Sequence, residues 1–455
     1  MARSLKPEVI VVGGGITGLT AAYELQRRGH RAIVLERSPR AGGLILTDHV
    51  GGCTIEGGPD SLLTSKPAAL DLARELGLAD RIQTVRPPGG AFVLRGRALY
   101  RLPRPSLLGI PLTWRALASY TLLSPAARLR LAMERLIPAR RGVDDESIGS
   151  FFRRRFGDAS VDLIAQPLLG GIHAGDIDAL SMRSLFPRLL DAERAHGGIL
   201  RAPAAPAAGL SPFVSLRGGM STLVQALERQ LDPAAIRFET PVHAVERIDG
   251  GWRAAGVEAR ALILASPAHA AAILLAPIDA GAAALCRQVP YVSTASVALA
   301  WPRTAIAHPL AGTGFVVARR HSDVRITACT WVSSKWEDRA PEGTALVRAF
   351  LGGAHDPHVV SMSDDDLIAI VRTDLERVLG IAAPPTLARV YRWANAGAQH
   401  TVGHLARVEE IEQRLAAHGG LFVAGSGFRA VGIPDCVADA RNVAGQASTF
   451  LTGGA

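Results

Sequence analysis

Residues 9–36 read as strand, glycine turn, helix, strand and acid, an order that few chains carry without binding a dinucleotide. Val9-Ile10-Val11-Val12 is too short an apolar run to span a membrane and suits a buried parallel strand. The turn Gly13-Gly14-Gly15-Ile16-Thr17-Gly18 follows, and Leu19, Ala22, Tyr23 and Leu25 then recur at helical spacing. Ala32-Ile33-Val34-Leu35 supplies a second strand that ends on Glu36. Gly13 permits the tight turn, Gly15 lets backbone approach a pyrophosphate, and Gly18 allows helix and strand to pack closely. Phosphates belong at the helix N-terminus, where unpaired N–H groups and the helix dipole favour negative charge. Glu36, with Arg37 beside it, is placed to accept hydrogen bonds from ribose hydroxyls.

Two further small-residue loops favour FAD over NAD. Arg40-Ala41-Gly42-Gly43-Leu44-Ile45-Leu46-Thr47 lies just past Glu36, and Glu56-Gly57-Gly58-Pro59-Asp60-Ser61 follows. Loops that let backbone come close suit a long, retained cofactor better than a hydride carrier that leaves after each turnover. Taken alone, Gly57-Gly58-Pro59 would be only a turn. The whole stretch resembles the flavin amine oxidase superfamily, which implies bound FAD. Near the C-terminus Leu421-Phe422-Val423-Ala424 and Gly425-Ser426-Gly427-Phe428 lead to Val431-Gly432-Ile433-Pro434-Asp435 at a helix start, repeating the strand–glycine–helix order. A helix N-terminus there would stabilise negative charge on a reduced flavin.

Composition narrows the partners. The formal net charge is +9 over 455 residues, and all but three of the 50 basic residues are arginine. A GC-biased genome accounts for that, as does attraction to anionic lipid or a carboxylate-bearing substrate. No basic run interleaved with aromatics points to nucleic acid. Cys53, Cys286, Cys329 and Cys436 are scattered, which argues against a zinc site or disulfide scaffold and fits a reducing cytoplasm. His400 and His404 read as loop histidines, because Gly403 intervenes and no metalloprotease glutamate accompanies them; no metal is expected. The chain enters its first strand at once, so no secretory signal is expected.

The fold expected is α/β: a Rossmann-like FAD-binding domain from residues 1–85, 216–283 and 385–455, a mixed-sheet substrate domain from 86–103 and 284–384, and a helical subdomain at 104–215. Residues 92–100 predict a hairpin turning at Gly96, and Ser363 caps a helix over 364–379. In the helical part Arg128, Arg130, Arg135, Arg140 and Arg141 accompany leucine-rich faces, as in a membrane-facing surface or a solvated helical subdomain. Residues 201–209 read as a low-complexity connector.

Mid-chain motifs narrow the resemblance. Gly171-Ile172-His173-Ala174-Gly175-Asp176, Leu180-Ser181-Met182, Phe186-Pro187 and Gly432-Ile433-Pro434-Asp435-Cys436 resemble the oxygen-dependent protoporphyrinogen/coproporphyrinogen oxidase family of haem biosynthesis, over almost the full length. The resemblance implies FAD contacts at Gly13, Gly14, Gly15, Ile16, Thr17, Gly18, Glu36, Arg37, Gly42, Gly43, Gly58, Pro59, Asp60, Ser61, Val242, Trp393, Gly425, Val431, Gly432 and Ile433. Val242 reads equally as a core strand residue. The resemblance places Ala174, Gly175, Asp176 and Phe315 at the substrate, Gly175 leaving room for a flat macrocycle; a turn before Asp176 accounts for that glycine as well.

The segments 312–317, 326–331 and Lys335-Trp336 resemble Gram-positive-type members, which favours coproporphyrinogen III over protoporphyrinogen IX. Two departures touch carboxylate recognition. Ala91 stands where the family often has a propionate-binding arginine, leaving Arg86, Arg95 or Arg97 as substitutes, and Ala398-Gln399-His400 replaces Pro-Gln-Tyr. The reaction implied is a six-electron oxidation using O2 and releasing H2O2, with hydride passing to the flavin and no catalytic side chain required. Cytoplasmic location, peripheral membrane contact, a homodimer and contact with a downstream haem-pathway enzyme are further implications. Rival readings are another flavin oxidase or desaturase, an NADPH-dependent flavin reductase, and a non-catalytic FAD-binding assembly protein.

Overall fold

A five-stranded parallel sheet runs in the order Ile236–Arg237, Ala32–Leu35, Val9–Val12, Ala261–Leu264, Leu421–Val423. The computed structural model describes residues 7–142, 144–203 and 211–453. Val9 and Val11 enter one apolar cluster, with Leu19, Val437 and Val443; Ile10 and Val12 enter another, with Trp252, Leu275 and Val408. A strand covered on both faces needs an apolar residue at every position, which is why this run shows no polar alternation. The ladder sets start, middle and end of the chain side by side, and helices Ile16–Arg27 and Ile433–Gly453 pack together.

The second sheet has seven strands, in the order Leu387–Ala398, Tyr291–Pro302, Thr344–Gly352, Ala328–Thr330, Gly314–Val317, Ala91–Arg95, Ala98–Arg101. Its long strand Tyr291–Pro302 alternates cleanly. Ala295, Val297, Leu299 and Trp301 pack with helix Asp364–Leu379, while Ala298 and Ala300 meet Ile55, Trp336 and Leu346. The hairpin at Gly96 and the Ser363 cap form as expected.

Two expectations need correction here. Leu387–Ala398, expected in the 385–455 piece of the nucleotide-binding unit, is an edge strand of the seven-stranded sheet, laddered to Tyr291–Pro302. His404 is not in a loop: it starts helix His404–Ala416, with Gly403 before it at φ 84°. Of the low-complexity stretch 201–209, residues 204–209 lie outside the described residues.

Short helices from Trp114–Ala118 to Pro187–His196 form a third region around Phe151, Phe152 and Phe156. Inside it the fully buried Arg155 pairs with the fully buried Glu134, whose oxygens also accept from Ile199 and Leu200 N–H. Val161–Gly170 is a π-helix containing Pro167. Wide turns of this kind are rare and concentrate at functional sites. Among the described residues no helix is long and apolar enough to cross a membrane.

Candidate functional site

The first glycine turn is shaped by steric demand. Gly13 adopts φ 109°, and a Cβ there would stand 2.7 Å from the carbonyl oxygen of Ala265. A Cβ on Gly18 would collide with the carbonyl of Gly13, the close helix–strand contact foreseen from sequence. Nothing lies within 4 Å of the space a Cβ on Gly15 would fill. Helix Ile16–Arg27 starts at Gly15 with no side-chain cap and no acid in its first turn, so its leading N–H groups remain available to an anion.

Glu36 ends the second strand and is buried against this turn. One carboxylate oxygen accepts from Gly14 N–H at 2.6 Å, and the other accepts from Ser38 N–H and Oγ–H at 2.9 and 2.8 Å. Arg37 beside it is exposed. Gly42 N–H donates to Gly14 carbonyl at 2.8 Å, laying the 40–46 loop on the turn. Arg40 ties that loop from within, donating to the carbonyls of Ala41, Gly43 and Ile45.

The 57–61 loop is fixed by buried cations. Arg348 donates to the carbonyls of Gly58 and Gly57 at 2.7 and 3.0 Å, and Trp393 Nε1–H donates to Gly57 at 2.7 Å. Burial pulls the Arg348 guanidinium down from its ordinary value. Lys335 donates to both oxygens of Asp60 at 2.9 and 3.2 Å. Burial alone would raise the Asp60 carboxyl, but the charge and hydrogen bonds of Lys335, helped by Ser61, hold it well below the carboxylate range. Glu56 is raised by burial despite its ion pair with Arg339 at 2.8 Å.

Register places Ser296, Arg348 and Trp393 on one face of the sheet, above this loop. Among the described residues the hydroxyls of Ser296 and of Ser266, the latter beside the Gly13 turn, are buried without a partner, as is Arg348 Nε. Orphaned polar atoms at the edge of glycine-rich loops fit an extended polar ligand.

The chain's end closes the cradle. Gly425 lies against Thr17, and its N–H donates to Asp439 at 2.7 Å; burial raises the Asp439 carboxyl to about 6. Ile433 begins the last helix, Val431 packs toward the helical region, and Gly432 is exposed. Lys66 pairs with Asp435 at 2.6 Å. His400 and His404 stack with ring centroids 3.8 Å apart and reach the carbonyls of Ser426 and Phe428, gripping the loop before the helix. Burial lowers both, His404 to about 3. Val242 departs from its expected setting. It lies between strands Ile236–Arg237 and Val245–Ile248, half-buried against the core, and not within a strand.

A small cleft opens where the π-helix meets the seven-stranded sheet; Gly170, Gly171, Ala174, Gly175, Arg319 and Thr327 line it. Ala174 and Gly175, expected at the substrate, both line this cleft. The Gly175 carbonyl accepts from Gln166 at 3.1 Å, and a Cβ on Gly175 would collide with Gln399, so its missing side chain makes room for the protein's own glutamine. Asp176 and Phe315, also expected at the substrate, do not line this cleft. Asp176 accepts from Asp178 N–H at 2.9 Å as a turn former. Phe315 points into the core against Trp331, at 2% exposure.

The substitutes considered for the missing arginine are elsewhere engaged or remote. Arg86 donates to the Ser333 carbonyl, Arg95 to the Leu122 carbonyl, and Arg97 is exposed beside the hairpin turn. Sequence reasoning missed Arg348, Arg339, Lys335 and Gln399. The available signal was a charge inside the apolar run Leu346-Val347-Arg348-Ala349 and the rarity of lysine.

The family profile described as flavin containing amine oxidoreductase matches residues 16–448. The chain belongs to that family, and its cofactor is FAD. It is 36% identical to the coproporphyrinogen III oxidase of Bacillus subtilis, covering 98% of this chain and 99% of that one. It is 35% identical to the coproporphyrinogen III oxidase of Propionibacterium freudenreichii, over 96% of this chain and 90% of that one. A crystal structure from Exiguobacterium, provisionally named a protoporphyrinogen oxidase, superposes with TM-score 0.87 at 32% identity, covering 98% of this chain and 99% of that one.

Proposed function

We propose that this flavoenzyme oxidises a porphyrinogen to a porphyrin in haem biosynthesis, with coproporphyrinogen III as the favoured substrate over protoporphyrinogen IX. The observation that carries the reading is a cleft lined by Ala174 and Gly175 in a chain whose two ends assemble one glycine-rich cradle. Near-full-length similarity to coproporphyrinogen III oxidases supports the choice of substrate.

Bound FAD supplies hydride acceptance, two electrons at a time over three rounds, with O2 as the final acceptor and H2O2 as its product. The protein's part is to bind and orient. The N–H groups at the start of helix Ile16–Arg27 receive the pyrophosphate, with Gly13, Gly14, Thr17 and Gly18 shaping the turn and Glu36 receiving the ribose. Arg348 and Trp393 hold the Gly57 and Gly58 carbonyls fixed, so Pro59, Asp60 and Ser61 present a rigid edge to the cofactor. Asp60 stays anionic and paired with Lys335 beside that edge. Gly42, Gly43, Gly425, Val431, Gly432 and Ile433 complete the cradle from the two chain ends.

Trp114, Leu129 and Leu136 are 72%, 64% and 75% exposed in the helical region, near Arg128 and Arg135. This supports peripheral contact with an anionic membrane from the cytoplasmic side. A homodimer and hand-over of product to the next haem-pathway enzyme belong to the same reading.

Aerobic incubation with each porphyrinogen, followed by porphyrin fluorescence, tests the proposal. Faster gain with coproporphyrinogen III is expected, and no gain with either from flavin-loaded protein overturns it.

A further inference from the structure

Three consecutive residues, Arg319, Arg320 and His321, form a short turn after strand Gly314–Val317. The second and third are committed to the π-helix: Arg320 donates to Asp162 at 2.9 Å, and His321 comes within 4.0 Å of the same carboxylate. The first is different. Arg319 lines the cleft with Ala174 and Gly175, and among the described residues its guanidinium has neither hydrogen bond nor ion pair.

The nearby carboxylate does not claim it. Asp356 is engaged by Arg325, which donates to its two oxygens at 2.7 and 3.0 Å, although Arg319 contributes to its electrostatic surroundings. His355 at the rim adds a second donor. The rest of the lining is largely small or apolar, as a flat ring system requires.

We propose that Arg319 binds a propionate carboxylate of the substrate, taking the role left open by Ala91. This inference rests on the porphyrinogen reading. A guanidinium matches a carboxylate with two parallel hydrogen bonds, and in a half-buried cleft such a contact fixes the ring's orientation as well as its affinity. Arg319 is thus a specificity residue for a carboxylate-bearing macrocycle.

The test compares wild type, R319A and R319K as flavin-loaded proteins. Binding of coproporphyrin III and of its tetramethyl ester is followed by porphyrin fluorescence, and kcat and KM are measured with coproporphyrinogen III. R319A is expected to weaken binding of the acid and raise KM by about 10- to 100-fold, the range for a charge-assisted hydrogen bond. Ester binding, kcat and the flavin spectrum should change less than about twofold, and R319K should recover only part of the acid affinity, because its charge returns without the two parallel hydrogen bonds. Equal loss for acid and ester, or no loss for the acid, overturns the assignment. Absence of porphyrin formation by wild type defeats the functional reading instead, while the acid–ester comparison still decides Arg319.

Discussion

The cradle around residues 13–18 and the cleft around residues 170–175 are held in opposite ways. In the cradle, backbone meets backbone: Gly42 N–H on Gly14, Gly18 against the Gly13 carbonyl, Gly13 against the Ala265 carbonyl. In the cleft, side chains brace a loop from behind, with Gln166 and Gln399 around Gly175, while Arg319 is left unengaged. A backbone-built site tolerates almost no added volume but is indifferent to neighbouring side-chain identity. A side-chain-built site tolerates conservative change and can alter its specificity. We propose that the cofactor common to the family sits in the first kind and that substrate choice resides in the second.

Gly18→Val breaks the cradle most severely. Its side chain would enter the Gly13 carbonyl, so we expect a loss of more than about 3 kcal/mol in stability and flavin content below about a tenth of wild type. Thermal melting and flavin absorbance check this, and a fully yellow, stable variant would remove the steric basis of the comparison.

Lys335→Met comes next. It strands Asp60, and removing one partner of a largely buried pair costs about 3 kcal/mol. The folded Asp60 pKa is depressed, so its stabilising contribution is present above its unfolded value of about 3.9 and is lost as pH falls below that. In the variant the stranded carboxyl takes up a proton more readily, so the stability gap should narrow as pH falls. Denaturant melts across pH measure it; a gap constant with pH contradicts the ion-pair role.

His404→Gln sharpens the account of the closing loop. Burial depresses His404 to about 3, whereas an unfolded histidine protonates near pH ~6.5. Its contribution is present above ~6.5 and declines as pH falls toward the folded value, by about 1.4 kcal/mol per pH unit. Wild type should therefore lose stability on acidification more steeply than the variant by about one proton, as read from melts between those limits. Identical slopes would contradict a buried neutral ring.

The smallest effect is expected from Asp176→Asn. The amide oxygen still accepts from Asp178 N–H, so kcat should stay within about twofold. A large fall would return Asp176 to the substrate.

The cradle was readable because each glycine answers a local demand, and strand, turn, helix and acid lie within one short stretch. Meeting of the chain ends required the parallel ladder, though the repeated strand–glycine–helix order pointed to it. The burial of Phe315 was not legible because Gly314–Val317 has an apolar residue at every position after Gly314, so alternation cannot tell core from cleft. His404 was misread because Gly403 looked like a helix breaker, whereas its left-handed backbone precedes a helix. The cations that hold Glu56 and the 57–61 loop reach them from residues 335, 339 and 348, a separation that no local pattern encodes.

Anaerobic mixing of the flavin-loaded protein with coproporphyrinogen III, followed by flavin absorbance, tests the central claim most directly. Bleaching of the oxidised flavin together with appearance of porphyrin, and recovery when O2 is admitted, is the predicted result. A flavin that stays oxidised in excess porphyrinogen would contradict it.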